Sequence, residues 1–285
     1  MDAIIQWWNT NPITHLFFSL PAMKEAMPAI LKAFPVSVMF GFVAFVLAIP
    51  GGLMLSFMKM SKSRWLRWPA TIYVDVVRGT PLFLQILLVF FGLPLTPIYK
   101  TVVDALALKQ YLFLGIDATI VWRGLMVLSL NSAAYMGEIF RAGIQSIPKG
   151  QSEAARSLGM TKVQTMAFVI LPQTVRRILP TMMSEFILLF KDTALLAAVS
   201  VAEMTLRAKE AAATSFNQSA YIAAALMYLL VTVPLGRIVS RMENRLAAQD
   251  GGSAGTGKRP PRINAEGVDS EHIVPHEELV IADQG

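Results

Sequence analysis

The chain has 285 residues, of which 54% are hydrophobic and only 15% charged, with a mean hydropathy of +0.52; this balance excludes an ordinary water-soluble domain. The net charge of +6 and pI near 9.6 come from basic residues gathered in the loops between apolar runs, so no nucleic-acid partner is expected. Cysteine is absent, which excludes disulfides and thiolate metal sites, and His272 and His276 are separated by Pro275, so no metal is expected either.

The first residues lack a cationic stretch followed by an apolar one, so no cleaved signal is expected. Residues 1–27 read as an extracytoplasmic segment with Trp7 and Trp8 as an interfacial anchor. Apolar runs near Val36 to Phe57, Ile72 to Leu93, Ile120 to Ile139, Met182 to Val201 and Tyr221 to Val239 are long enough to cross hydrocarbon as helices. They lack the alternation of barrel strands, and an open sheet cannot sit in lipid. The expectation is an all-α integral membrane protein with about five spans, occupying residues 28–247. Pro50-Gly51-Gly52 and Arg78-Gly79-Thr80-Pro81 predict breaks in spans one and two, acting as packing kinks or as hinges.

Between spans three and four, residues 148–172 carry dense helix punctuation. Pro148 and Gly150 end the incoming helix. Gly150 is expected as N-cap with Glu153 at the third helical position, followed by the small face of Ala154, Ala155 and Leu158 and by Gly159 as a left-handed stop. Thr161 and Gln164 form a capping box ahead of Val163, Met166, Phe168 and Leu171, and Pro172 is expected to close the second helix. The pattern is a hairpin of two short helices suited to a groove on a partner.

After span five the composition turns to Gly, Pro and mixed charge, and 248–285 is expected to be a disordered tail. Gly252 to Lys258 imitates a phosphate-binding loop, but Arg259, Pro260 and Pro261 replace the hydroxyl and the helix that such a loop needs. No nucleotide is expected on this chain. Lys59, Lys62, Arg64 and Arg67, then Arg141, Lys149, Arg156, Lys162, Arg176 and Arg177, and finally Arg237, Arg241 and Arg245 lie in alternate connections. The opposite loops hold chiefly Lys100, Lys109, Arg207 and Lys209. The positive-inside rule puts the N-terminus outside and the C-terminus in the cytoplasm.

Gly150-Gln151-Ser152-Glu153-Ala154-Ala155-Arg156-Ser157-Leu158-Gly159, followed by Ile170-Leu171-Pro172, resembles the EAA loop of bacterial ABC importer permeases. Tyr73 to Leu82, Ala134 to Gly143 and Phe190 to Leu195 are similar to signatures of the polar amino acid branch, which serves substrates such as histidine, glutamine and arginine. The resemblance covers residues 30 to 246 and implies a type I importer permease fold. It implies that Gln151, Glu153, Ala154, Ala155, Arg156, Leu158 and Gly159 form the helix and turn that couple to a separate ATPase. It further implies a second permease (homodimer or related pair), an ATPase dimer carrying ATP and Mg, an extracytoplasmic solute-binding protein, a polar amino acid substrate and residence in the bacterial inner membrane. The family often has Ser where Ala194 stands and Asn near Glu185.

Ionisable groups at membrane depth are costly and therefore candidates for the substrate pathway. Lys191 and Asp192 fall near the middle of span four and point about 100° apart, so each is expected to meet a partner on another helix. Arg78 either snorkels or faces a pocket. Glu138 with Arg141 is either an interfacial ion pair or a substrate contact, and Gln85, Asn131 and Tyr135 lie at plausible depth. A shallow pocket between spans two, three and four is expected, offering both signs to a zwitterion. An ion-coupled transporter would show internal repeats, and a membrane enzyme would need converging nucleophile, base or metal ligands; neither is found.

Overall fold

The computed structural model describes residues 11–253, and the bundle lies in the first of two units, residues 1–246. A short helix α1 (Pro12–Phe17) leads into α2 (Leu20–Met60), whose N-cap Ser19 accepts from the Ala22 amide. This first long helix begins well before the expected Val36. It also runs unbroken through Pro28, Pro35 and Pro50, so the break expected at Pro50-Gly51-Gly52 does not occur. The glycines serve close approach instead. A Cβ on Gly52 would meet the Met136 side chain and lie 2.9 Å from the Gly137 nitrogen, and one on Gly51 would lie 3.2 Å from Ala133.

Span two does break. Helix α3 (Arg64–Gly79) ends where Thr80 turns extended, the conformation favoured before proline. The chain restarts at α4 (Leu82–Leu87), prolonged by π and 3-10 turns to Leu95 and bent 105° from α3. The Gln85 amide closes the corner by donating to the carbonyls of Val77 (2.8 Å) and Thr80 (3.2 Å). Helix α5 (Pro97–Ala105) and a two-stranded hairpin, β1 (Leu112–Phe113) with β2 (Ile116–Asp117), follow. Leu114 and Gly115 turn the hairpin at φ 52° and 78°. It is a small exception to the expected all-α architecture.

Helix α6 (Ala118–Gln145) is capped by Asp117, whose carboxylate accepts from the Thr119 amide at 2.7 Å. It is the axis of the bundle. Phe40, Ile86, Leu128, Leu189 and Leu196 make one fully shielded core around it, and Ala48, Val74, Ala134, Met136, Ile178 and Met182 a second. Beyond it come α7 (Lys149–Ser157), α8 (Lys162–Gln164) with a π segment to Ile170, α9 (Leu171–Asp192) with a 3-10 stretch to Val199, α10 (Met204–Ser215) and α11 (Ser219–Ser253). Helix α11 carries the chain to Ser253, into the stretch expected as a disordered tail. The rest of that tail, with His272, His276, most of the phosphate-loop look-alike and the anchor Trp7 and Trp8, lies outside the described residues.

Among the described residues, Ile13–Met60 and Ser219–Ala248 are long and apolar enough to cross a membrane, and the bent α3–α4 pair makes a third. The expected spans three and four are helical but less apolar. Helix α6 has 28 residues, about 42 Å at the α-helical rise, yet it carries Arg123, Glu138 and Arg141 and packs inside the bundle.

Candidate functional site

Most of the expected site residues lie in the hairpin or in a polar cluster beside the α3–α4 bend, with Glu138 and Lys191 outside both. At the hairpin, Pro148 rather than Gly150 is the N-cap of α7, so Glu153 stands one turn in and Gly150 is helical. Gly159 makes the turn at φ +85°. The Thr161–Gln164 capping box forms with both bonds present. Pro172 does not close the second helix. The junction residues Thr165, Ile170 and Leu171 are all α-helical, so α8, the π segment and α9 are one rod, with Pro172 inside it just after the widened π turns.

Two side-chain ties seat the hairpin: Arg177 donates to the Ser146 carbonyl at 2.7 Å, and the Gln173 amide donates to Gln151 at 3.3 Å. Of the small face, only Ala155 is buried, at 5% exposure, against the hairpin's own second limb. Gln151, Glu153, Ala154, Arg156 and Gly159 are exposed. Leu158 stands 85% exposed, Val163 77% and Phe168 73%, three apolar side chains presented on one short segment beyond the bundle.

At the bend, the exposed Arg78 lies over the Tyr135 ring at 5.2 Å, and the buried Asn131 donates to Gln85 at 3.0 Å. Ser132 donates to Glu185 at 2.9 Å, and Glu185 also feels the charges of Arg78 and Asp192. The expected residues Arg78, Gln85, Asn131, Tyr135 and Asp192 therefore share one neighbourhood, to which Glu185 must be added. Its sequence signal was a carboxylate within the apolar half of α9. Glu138 belongs elsewhere. It lies at the hairpin end of α6, clamped by Lys59 at 2.5 Å and by Arg141 at 2.6 Å, which is the ion-pair alternative.

Lys191 and Asp192 are not mid-helix, because α9 ends at Asp192. Lys191 is exposed, Asp192 half-buried, and neither makes an ion pair or hydrogen bond to another helix among the described residues. The groove beside the bend has a volume of about 290 Å³ and is lined by α3, α4 and α6 residues, including Tyr73, Thr80, Gln85 and Leu130. No α9 residue lines it, unlike the expected three-span pocket. Sequence reasoning also missed Glu203, fully buried, which accepts from the Leu206 amide at 2.8 Å and the Tyr228 hydroxyl at 2.9 Å. With Ser37 alongside it joins α2, α10 and α11.

The family described as binding-protein-dependent transport system inner membrane component matches residues 48–248. The chain is 35% identical over 232 residues to the arginine transport system permease protein of Bacillus subtilis (strain 168), covering 81% of this chain and 95% of the relative. It is 30% identical over 234 residues to the glutamine transport system permease protein of Escherichia coli (strain K12), covering 80% and 98%. A solved amino acid ABC transporter with histidines superposes with a TM-score of 0.65 at 31% identity, over 80% of this chain and 98% of that one. A bacterial ABC transporter that imports alginate has a TM-score of 0.61 at 13% identity, over 86% and 89%, a likeness of fold alone.

Proposed function

We infer the working of this chain from the premise that it belongs to the family of inner membrane components of binding-protein-dependent transport systems. It is the permease subunit of an ABC importer for polar amino acids, in keeping with relatives named for arginine and glutamine transport. It does no chemistry itself. A separate ATPase dimer holds ATP and Mg, a second permease (a copy or a relative) completes the pore, and an extracytoplasmic binding protein delivers substrate.

The observation that carries this reading is the hairpin, where a glycine-made turn holds Leu158, Val163 and Phe168 in solvent at the end of a continuous rod. Such a segment can seat in an apolar cleft of the motor, and movement of α8 would then tilt α9 against the polar cluster. Lys59 pairs with Glu138, and Arg177 reaches Ser146, so the basic connection between α2 and α3 and the hairpin lie at one end of the bundle. Their common charge favours the cytoplasmic side, with the N-terminus outside. In the cluster, Arg78 suits a carboxylate, and Glu185 with Asp192 suits an ammonium; Gln85, Asn131 and Tyr135 supply neutral contacts.

The test is Leu158→Glu in the full importer reconstituted with its ATPase and binding protein. The variant is expected to insert and fold normally but to lose retention of the ATPase and ATP-driven uptake. Retention and uptake at the unsubstituted level would overturn the docking role.

A further inference from the structure

Between the end of α2 and the middle of α3, the chain reads Ser61-Lys62-Ser63-Arg64-Trp65-Leu66-Arg67-Trp68-Pro69-Ala70-Thr71-Ile72. Nothing assigned so far uses this segment, yet it is unusual in three respects. Trp65 is 91% and Trp68 65% exposed, an extreme for the largest apolar side chains. Lys62, Arg64 and Arg67 are all exposed, no acidic residue lies between Glu25 and Asp75, and none of the three makes an ion pair among the described residues. Cations in the first turn of a helix run against its dipole, so their placement is not explained by helix stability.

Two grooves flank the Trp68 ring. One, about 460 Å³, is lined by Arg64, Trp65, Trp68, Pro69 and Ile72. The other, about 250 Å³, is lined by Arg67, Trp68, Thr71 and Ile72. Each groove is therefore lined by one arginine together with tryptophan and Ile72. The segment joins two membrane-crossing elements, which puts it at the level where apolar chains end and head groups begin.

We propose that this face is a binding site for an anionic phospholipid, with Arg64, Arg67 and Lys62 holding the phosphate-bearing head group and the acyl chain lying against Trp65, Trp68 and Ile72. Charge complementarity selects an anionic over a zwitterionic lipid, and the aromatic grooves select an amphiphile over a free anion. A soluble acidic protein would satisfy the arginines but leave the tryptophan walls facing hydrocarbon.

The test uses the full chain in nanodiscs containing brominated phosphatidylglycerol or brominated phosphatidylcholine at equal mole fraction, read by quenching of tryptophan fluorescence. Phosphatidylglycerol is expected to be preferred roughly 30- to 150-fold, given the attraction of two to three basic groups at a charged surface. In the double variant R64Q/R67Q, which keeps Lys62, the preference is expected to fall to about fivefold with the tryptophans still quenched by either lipid. W65A/W68A is expected to lose most of the quenching difference, whereas K100Q, remote in sequence, keeps it. Equal quenching by the two lipids, a preference undiminished in R64Q/R67Q, or tryptophans shielded from both lipids by a second copy would each overturn the proposal.

Discussion

Gly52→Ala tests the contact on which the bundle depends. A Cβ at this position would overlap the Met136 side chain and lie 2.9 Å from two backbone atoms of α6, the Met136 carbonyl carbon and the Gly137 nitrogen. Backbone cannot rotate out of the way. The nearest atom is the Met136 Cβ, which the backbone fixes, so to reach the 3.4 Å of ordinary contact α2 and α6 must separate locally by about 1 Å, and overpacking of this kind costs about 1–3 kcal/mol. Alanine also removes the helix penalty of glycine, about 0.5–1 kcal/mol, so the proper control is Gly236→Ala in α11, where nothing lies within 4 Å. The difference between the two variants isolates the collision. At roughly 2–4 °C per kcal/mol for a chain of this size, Gly52→Ala should melt about 2–12 °C below Gly236→Ala when thermal unfolding is followed in nanodiscs. If the two variants melt together, the glycine is not what permits the close approach of α2 and α6.

Further outcomes follow from the same structure. Glu138→Gln leaves Lys59 and Arg141 facing each other without their shared carboxylate, at a cost of roughly 1.5–3 kcal/mol for the charged hydrogen bonds; Lys59→Met in the same background should recover part of the lost thermal stability. Gly159→Val puts a β-branched residue at φ +85°, costing about 1–3 kcal/mol of local strain, and should lower ATP-driven uptake more than it lowers the melting temperature of the bundle. Glu185→Gln, and separately Asp192→Asn, should reduce substrate-stimulated ATP hydrolysis while leaving the assembly intact, measured in proteoliposomes; unchanged stimulation in both would remove the carboxylates from the pathway. In the loop before α6, the hydrogen bond with Thr119 holds the Asp117 carboxyl below its usual value. A lowered carboxyl contributes stability that is present above its unfolded value and lost as pH falls through the folded one. The melting temperature should therefore fall on acidification below about pH 4, less steeply in Asp117→Asn.

Local chemistry made much of the hairpin readable in advance. The Thr161–Gln164 capping box and the Gly159 stop are built from residues within a few positions of one another, so the sequence carries the whole interaction. The errors arose where two signals competed. Pro148 takes the N-cap from Gly150, and Pro172 does not end the second helix because the widened π turns of Thr165–Ile170 carry the rod past it. Similarly, Pro50-Gly51-Gly52 and Arg78-Gly79-Thr80-Pro81 looked alike as strings. Only in the second does the residue before proline leave the helix, with Gln85 positioned to satisfy the freed carbonyls; in the first, where α2 packs closely on α6, the helix stays unbroken.

From composition, apolar run length and charge bias alone, the chain is a helical membrane protein with a structured hairpin between its third and fourth apolar segments, because hydrocarbon admits few backbone solutions. Which polar groups meet is decided only by tertiary structure. Glu138 is drawn to Lys59, from a helix distant in sequence, and Glu185 rather than Lys191 joins Arg78, Asn131 and Asp192, because helix rotation and close glycine contacts set which faces turn inward. The direction of Ala155 was of the same kind: its small side chain suited either a partner's groove or the hairpin's own interior, and only packing of the second limb turns it inward and leaves Leu158 outside.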